Sequence, residues 1–117
     1  MRVSVVLPAK NEAEGLARTL PALREQWPLA ELIVVDDGST DATAQVAADH
    51  GARVLSSPYS MGNGAAIKRG ARAATGEVIV FMDADGQHDP ELIHRLLEKL
   101  AEGYDMVGGA RDASGQG

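Results

Sequence analysis

Short apolar runs alternate along this chain with stretches in which apolar residues recur every three or four positions. The apolar runs predict four strands, at residues 3–7, 31–36, 53–55 and 78–82, and residues 104–107 could add a fifth. The stretches between them predict helices. Strands that alternate with helices in this way are typical of a mainly parallel sheet with helices on both faces. The pattern therefore predicts an α/β fold, a three-layer α/β/α sandwich.

The predicted helices have recognisable start and stop residues. Asn11 offers a capping side chain and Glu14 follows three residues later, so the first helix is expected to begin with a capping box. Gly51 ends the second helix, and the third, at residues 64–74, is rich in Ala and Gly. A fourth is expected after the cap Asp89. The apolar stripe of the first helix is expected in the core and consists of Leu16, Leu20, Leu23 and Trp27.

The size and charge of the chain narrow the classes of function. Its 117 residues suffice for one small domain with one core. The net charge of −6 has the wrong sign for a nucleic-acid backbone, so no nucleic-acid partner is expected. The chain has no cysteine, which excludes disulfides and thiolate metal sites. No run approaches the ~20 apolar residues that span a bilayer, and the first residues resemble a strand more than a signal peptide.

The apolar run at residues 78–82 ends abruptly in two acids, Asp83 and Asp85. Five successive apolar residues suit a strand that is buried on both faces of a parallel sheet. Because ligands of open α/β sheets bind outside the carboxyl ends of the strands, these acids are expected at a ligand site. Two carboxylates one residue apart can converge on a hard divalent cation, which keeps open positions for phosphate.

Four motifs at the predicted element ends carry a resemblance to a known family. They are Pro8-Ala-Lys-Asn11-Glu12, Asp36-Asp37-Gly38-Ser39-Thr40-Asp41, Gly62-Asn-Gly64 and Met82-Asp83-Ala-Asp85-Gly86-Gln87. In this order they resemble the family-2 inverting glycosyltransferases, and most nearly the branch that makes polyprenyl-phosphate sugars, such as dolichol-phosphate mannose synthase. The resemblance implies the Rossmann-like nucleotide-binding half of a GT-A fold, with strand order 3-2-1-4.

The resemblance also implies a donor site and a metal site. Contacts to the nucleotide are expected from Pro8, Ala9, Glu12, Asp37, Asp83 and Ala84. Ligands for a divalent metal, magnesium or manganese, are expected from Asp83, Asp85 and Gln87. Asp83 and Asp85 are then the expected catalytic residues, because the cation that they hold stabilises the nucleoside-diphosphate leaving group.

The activity implied by the resemblance is transfer of a hexose, with inversion, from a GDP-sugar or UDP-sugar to a polyprenyl phosphate or similar acceptor. The acceptor phosphate is ionised near neutral pH, so this reaction needs no strong base. Such an enzyme is expected in the cytoplasm, with peripheral contact at the cytoplasmic membrane face as an alternative.

The chain is expected to hold only part of such an enzyme. Residues 1–110 would form the nucleotide-sugar-binding domain and residues 111–117 a flexible tail at the start of an acceptor half. A second hypothesis is therefore a nucleotide-binding and metal-binding half-domain that does not transfer, and an uncovered sheet could favour a homo-oligomer. A phosphotransferase is less favoured, because Gln87 stands where those sites need Thr or Val. Ser60 stands near a position where related chains often carry Asn, so one loop contact is expected to be absent.

Several of these residues have a plain structural alternative. Asp36 and Asp37 could simply begin an Asp-Gly turn, and Glu12 could only complement the dipole of its helix. His88 follows the acids, but a lone histidine near a turn is more often solvated than a ligand. Lys68 belongs to a basic run that could meet phosphate, although a solvated helix face is the favoured interpretation.

Overall fold

A computed structural model of the chain describes residues 2–82, residue 84 and the backbone of residues 107–108. Within these residues, one sheet has the order β3-β2-β1-β4-β5, and all its pairings are parallel. The predicted strand order 3-2-1-4 is confirmed. Residues 104–106 of the predicted fifth strand lie outside the described residues. The strands are β1 Val3–Ala9, β2 Glu31–Asp37, β3 Arg53–Ser57, β4 Val78–Phe81 and β5 Val107–Gly108.

Helices cover both faces of the sheet. They are α1 Ala13–Gln26, α2 Thr43–Asp49 and α3 Asn63–Ala73. One core cluster joins β1 and β2 to α1 and α2, and a second joins the opposite face of the same strands to Ala66 of α3. This arrangement confirms the predicted three-layer sandwich. The predicted fourth helix and its cap Asp89 lie outside the described residues.

The alternation of side chains along β1 divides the core between the two faces. Val5 and Leu7 pack in the cluster with α1, whereas Val6 packs in the cluster with α3, because successive strand side chains point to opposite faces. The three leucines predicted for α1 are buried as expected. Trp27 is only half-buried at the helix end, where it packs against the first cluster.

The first strand does not end at Leu7, as the sequence had indicated, but continues through Pro8 to Ala9. Pro8 pairs with Val35 of β2 in the register. On the other side, β4 last pairs with β1 at Val6, whose carbonyl accepts a hydrogen bond from the Met82 amide. The ring nitrogen of Pro8 faces this second side, beyond the last pairing, so its missing N–H breaks no hydrogen bond of the sheet.

The third helix approaches the sheet closely at Gly70. A Cβ atom at this position would lie 2.2 Å from Cγ1 of Val6, which is well inside contact distance. The glycine therefore lets α3 settle directly on β1. The start of α3 lies beside the carboxyl ends of β1 and β2.

Candidate functional site

A cleft of about 430 Å³ lies at the carboxyl ends of β1 and β2. Such an edge is where ligands bind in open α/β sheets. Five of the residues predicted to contact a nucleotide line this cleft, namely Pro8, Ala9, Glu12, Asp37 and Ala84. These residues, which the sequence predicts to act together, therefore lie together in the structure. Their role in binding stays a prediction.

Asp37 ends β2, and hydrogen bonds fix its side chain in the cleft. It is 8% exposed, and its two oxygens accept three hydrogen bonds from one loop. The Met61 amide donates to Oδ1 at 2.7 Å, and the Ser60 hydroxyl and Gly62 amide donate to Oδ2 at 2.9 and 3.1 Å. A carboxylate offers about four acceptor positions, so about one is left for a ligand.

These hydrogen bonds lower the pKa of Asp37. The Met61 amide has the largest effect, burial opposes it, and Ser60, Gly62 and the positive charge of Lys10 add to the lowering. Donors aimed at a carboxylate favour its ionised form. The cleft therefore contains a fixed negative charge near neutral pH.

Gly38 allows this loop to reach Asp37. Its φ is +73°, and a Cβ atom here would lie 2.5 Å from the Ser60 nitrogen and 2.6 Å from the Tyr59 carbonyl carbon. Both the left-handed backbone and the close approach require glycine. The Asp37-Gly38 pair is therefore shaped to receive the loop at residues 59–62 as one wall of the cleft.

Asp36, the neighbouring acid, has a different task. Its Oδ1 accepts a hydrogen bond from the Ser39 amide at 3.0 Å, three residues further on, and so holds the turn that follows β2. Thus the turn alternative describes Asp36, whereas Asp37 lines the cleft. Residue type alone does not distinguish the roles of these two adjacent acids. Their roles differ because successive side chains of a strand point to opposite faces of the sheet.

A hydrogen-bonded clasp joins the loop after β1 to the loop after β2. Asn11 has a left-handed φ of 54°, and its Oδ1 accepts from the Thr40 amide at 2.8 Å. In return the Asn11 amide donates to the Ser39 hydroxyl at 2.9 Å. The Asp41 carboxylate accepts from the Ala13 amide, in the first turn of α1, at 3.2 Å.

The clasp corrects the prediction that Asn11 caps α1. The helix begins at Ala13 after Glu12, and no side chain of its own N-cap closes it. Asp41 from the other loop supplies that acceptor, and Thr43 accepts from the Glu12 amide at 2.9 Å. The predicted capping box fails because the asparagine oxygen is used about thirty residues away instead, in contacts with residues 40 and 41.

Five further residues line the cleft that sequence reasoning did not select: Lys10, Ser60, Gly62, Asn63 and Ala66. Lys10 could have been found from its place inside the first motif. Ser60 was interpreted as the loss of a contact, whereas its hydroxyl donates to Asp37.

The basic run of α3 does not reach the cleft. Lys68 is exposed and does not line the cleft, and Arg69 donates a hydrogen bond to the Ser57 hydroxyl at 2.8 Å.

The predicted metal ligands Asp83, Asp85 and Gln87, together with His88, lie outside the described residues. Within the part of the chain that the structure describes, no group of three His, Cys, Asp or Glu side chains could hold a metal ion. Ala84, the sequence neighbour of both acids, lines the cleft.

None of the described helices is long and apolar enough to cross a membrane.

A family model described as Glycosyl transferase family 2 matches residues 4–117. The chain belongs to this family. The motif-based resemblance is thereby confirmed.

Three proteins show what this chain is similar to. The undecaprenyl-phosphate 4-deoxy-4-formamido-L-arabinose transferase of Pectobacterium carotovorum is 41% identical over 93% of this chain and 36% of its own length. The dolichol-phosphate mannosyltransferase of Pyrococcus furiosus is 36% identical over 98% of this chain and 34% of its own length. The crystal structure of Mycobacterium tuberculosis glucosyl-3-phosphoglycerate synthase with Mn2+ and UDP-glucose is 36% identical, with a TM-score of 0.76, over 87% of this chain and 40% of that one.

The structural likeness confirms the predicted GT-A fold. The chain spans only about a third to two fifths of the length of these proteins.

Proposed function

We propose that the cleft at the carboxyl ends of β1 and β2 binds the nucleoside-diphosphate part of a sugar donor, GDP-linked or UDP-linked. The observation that carries the proposal is the convergence of five predicted nucleotide contacts, from three separate stretches of sequence, on one cleft of about 430 Å³. A volume of this order is within the usual range for small-molecule sites, ~300–1,000 Å³. The Mn2+ and UDP-glucose complex of a similar structure supports it.

The described cleft residues hold different parts of the donor in this proposal. Pro8 and Ala9 form the floor at the end of β1, and Glu12 and the remaining acceptor position of Asp37 take N–H or hydroxyl groups of base and ribose. Because the 59–62 loop fixes the Asp37 side chain and the Glu12 amide is held by Thr43, little ordering of this part of the cleft is needed when the donor binds.

A divalent metal, magnesium or manganese, belongs to the proposal. Asp83, Asp85 and Gln87 would hold it, and the position of their neighbour Ala84 in the cleft lining fits this assignment. Carboxylate and amide oxygens are the donor atoms that these ions prefer. When bound, the metal would offset the negative charge of the diphosphate.

The proposed reaction is a direct displacement. An oxygen of a polyprenyl phosphate, or of a similar acceptor, forms a bond to the anomeric carbon while the bond to the donor diphosphate breaks, so the configuration inverts. The acceptor phosphate is already ionised and needs no catalytic base. The names of the two lipid-phosphate transferases among the similar proteins support this acceptor class, which would place the reaction at a membrane surface.

A transfer assay tests the reaction. The chain is incubated with Mn2+, undecaprenyl phosphate in detergent and radiolabelled UDP-glucose or GDP-mannose, and lipid-linked label is measured. We expect a labelled lipid whose anomeric configuration is opposite to that of the donor. Retention of configuration would contradict direct displacement. Donor binding without any transfer would favour the alternative of a non-catalytic binding domain.

A further inference from the structure

The charges that line the cleft pose a problem for an anionic ligand. Among the described lining residues, the ionisable side chains are those of Lys10, Glu12 and Asp37, two acids and one base. Asp37 is fixed in its ionised form by the 59–62 loop. A diphosphate that enters such a cleft meets repulsion unless a cation lies close to it. Lys10 is the cation that the described lining provides.

The backbone on both sides of Lys10 is fixed. Ala9 before it is the last residue of β1, and Asn11 after it is held in the left-handed region by the clasp. The next amide, of Glu12, donates to the Thr43 hydroxyl. The residue that carries the ammonium group is therefore anchored at the cleft, so little backbone entropy is lost when the side chain takes a ligand.

The Lys10 ammonium group forms no ion pair with another described residue. The Lys10 side chain is exposed, and within the described part of the chain the ion pair that forms is between Arg53 and Glu31, at 3.9 Å, on another part of the surface. A lysine that served only to balance Asp37 would be expected to pair with it directly. Lys10 influences Asp37 through its charge alone, without a hydrogen bond to it.

We propose that Lys10 is a donor-binding residue that contacts the diphosphate of the sugar donor. The inference rests on the proposed function of the cleft and adds a residue to it. A lysine ammonium is a compact point charge with three donors on a flexible stem, which suits a phosphate group whose oxygens are spread over several positions.

The test compares phosphorylated and unphosphorylated ligands on Lys10→Met, which keeps the length of the side chain and removes the charge. Binding of UDP, uridine, GDP and guanosine to the whole chain is measured by ligand-observed NMR and calorimetry, with and without Mn2+. We expect Lys10→Met to weaken the diphosphate that binds by about tenfold, and its parent nucleoside by less than about twofold. Lys10→Arg, which keeps the charge, should restore most of the loss.

Arg18→Met is the matched control, because it removes one positive charge from an exposed position of α1 that does not line the cleft. An equal loss of affinity for nucleoside and diphosphate in Lys10→Met would overturn the proposal, since Lys10 would then contact base or ribose. No loss for either ligand, or the same loss in Arg18→Met, would also overturn it. If the unmodified chain binds neither diphosphate, the proposed function fails and this inference falls with it.

Discussion

The contact between Asp37 and the 59–62 loop leads to the most detailed prediction. Asp37→Ala removes one carboxylate that accepts three hydrogen bonds, from Ser60, Met61 and Gly62. A hydrogen bond to a charged group contributes about 1.5–3 kcal/mol to stability. Here all three donor residues are exposed, so water can replace part of each bond, and about 1 kcal/mol each is the better figure. The expected loss is therefore about 3 kcal/mol of unfolding free energy.

Two milder variants separate the three bonds. Ser60→Ala removes one neutral donor and should cost about 1 kcal/mol or less. Asp37→Asn keeps an acceptor for the Met61 amide but presents an NH2 group to the Gly62 amide, so it should fall between the other two. Urea denaturation of all three variants gives the order. A loss below about 0.5 kcal/mol in Asp37→Ala would refute the idea that this carboxylate holds the loop.

The same contact predicts a pH dependence of stability. The pKa of Asp37 is lowered in the folded chain from its ordinary value of 3.8. The stabilisation is therefore complete above that value and is lost as the pH falls through the lower, folded pKa. The difference in stability between the unmodified chain and Asp37→Asn should shrink as the pH falls from about 5 to about 2. A difference that stays constant over this range would contradict the assignment.

Three further substitutions test other parts of the account, each by urea denaturation. Gly38→Ala should cost about 2–4 kcal/mol, because its Cβ would meet loop backbone at 2.5 Å, whereas Gly51→Ala, with a similar φ of +80° and no atom within 4 Å, should cost only about 1 kcal/mol. Equal costs would show that the loop does not press on Gly38. Asn11→Ala should cost about 1–2 kcal/mol through loss of the clasp, and Asn11→Asp, which keeps the acceptor oxygen, should recover much of it. Gly70→Ala should cost about 1–3 kcal/mol through overpacking against β1, while Gly64→Ala in the same helix, where space is open, should be neutral or stabilising by up to about 1 kcal/mol. A stabilising Gly70→Ala would mean that α3 does not lie as close to the sheet as described.

The architecture followed from local patterns. Apolar runs and their alternation with helices predicted the parallel sheet, and the family resemblance added the strand order. The strands and helices could be predicted because they depend on the periodicity of apolar residues, which is visible within a few residues of sequence. The predicted end of β1 at Leu7, just before Pro8, was wrong. A proline disrupts a strand where its nitrogen faces a paired neighbour, and the nitrogen of Pro8 faces the side on which β4 no longer pairs with β1.

The details of the cleft depended on contacts between distant residues. Asn11 lies 29 residues from Thr40, and Asp37 lies 24 from Met61, so no local window could reveal either bond. Five of the six predicted nucleotide contacts line one cleft, and their binding role stays a prediction. What remained hidden was how the group is held, including the part of Ser60 and the place of Lys10. The acceptor, the sugar and a homo-oligomer stay predictions.

The central claim is that this cleft binds a nucleoside diphosphate with the help of a divalent metal. Calorimetric titration of the chain with UDP and with GDP, each with and without Mn2+, tests it most directly. Asp85→Ala is the test variant, and Glu25→Ala, which removes an exposed acid of α1 away from the cleft, is its control. The account predicts that one nucleotide binds in a Mn2+-dependent manner, that Asp85→Ala abolishes this dependence, and that Glu25→Ala does not. If neither nucleotide binds, or if binding is unchanged in Asp85→Ala, the claim is contradicted.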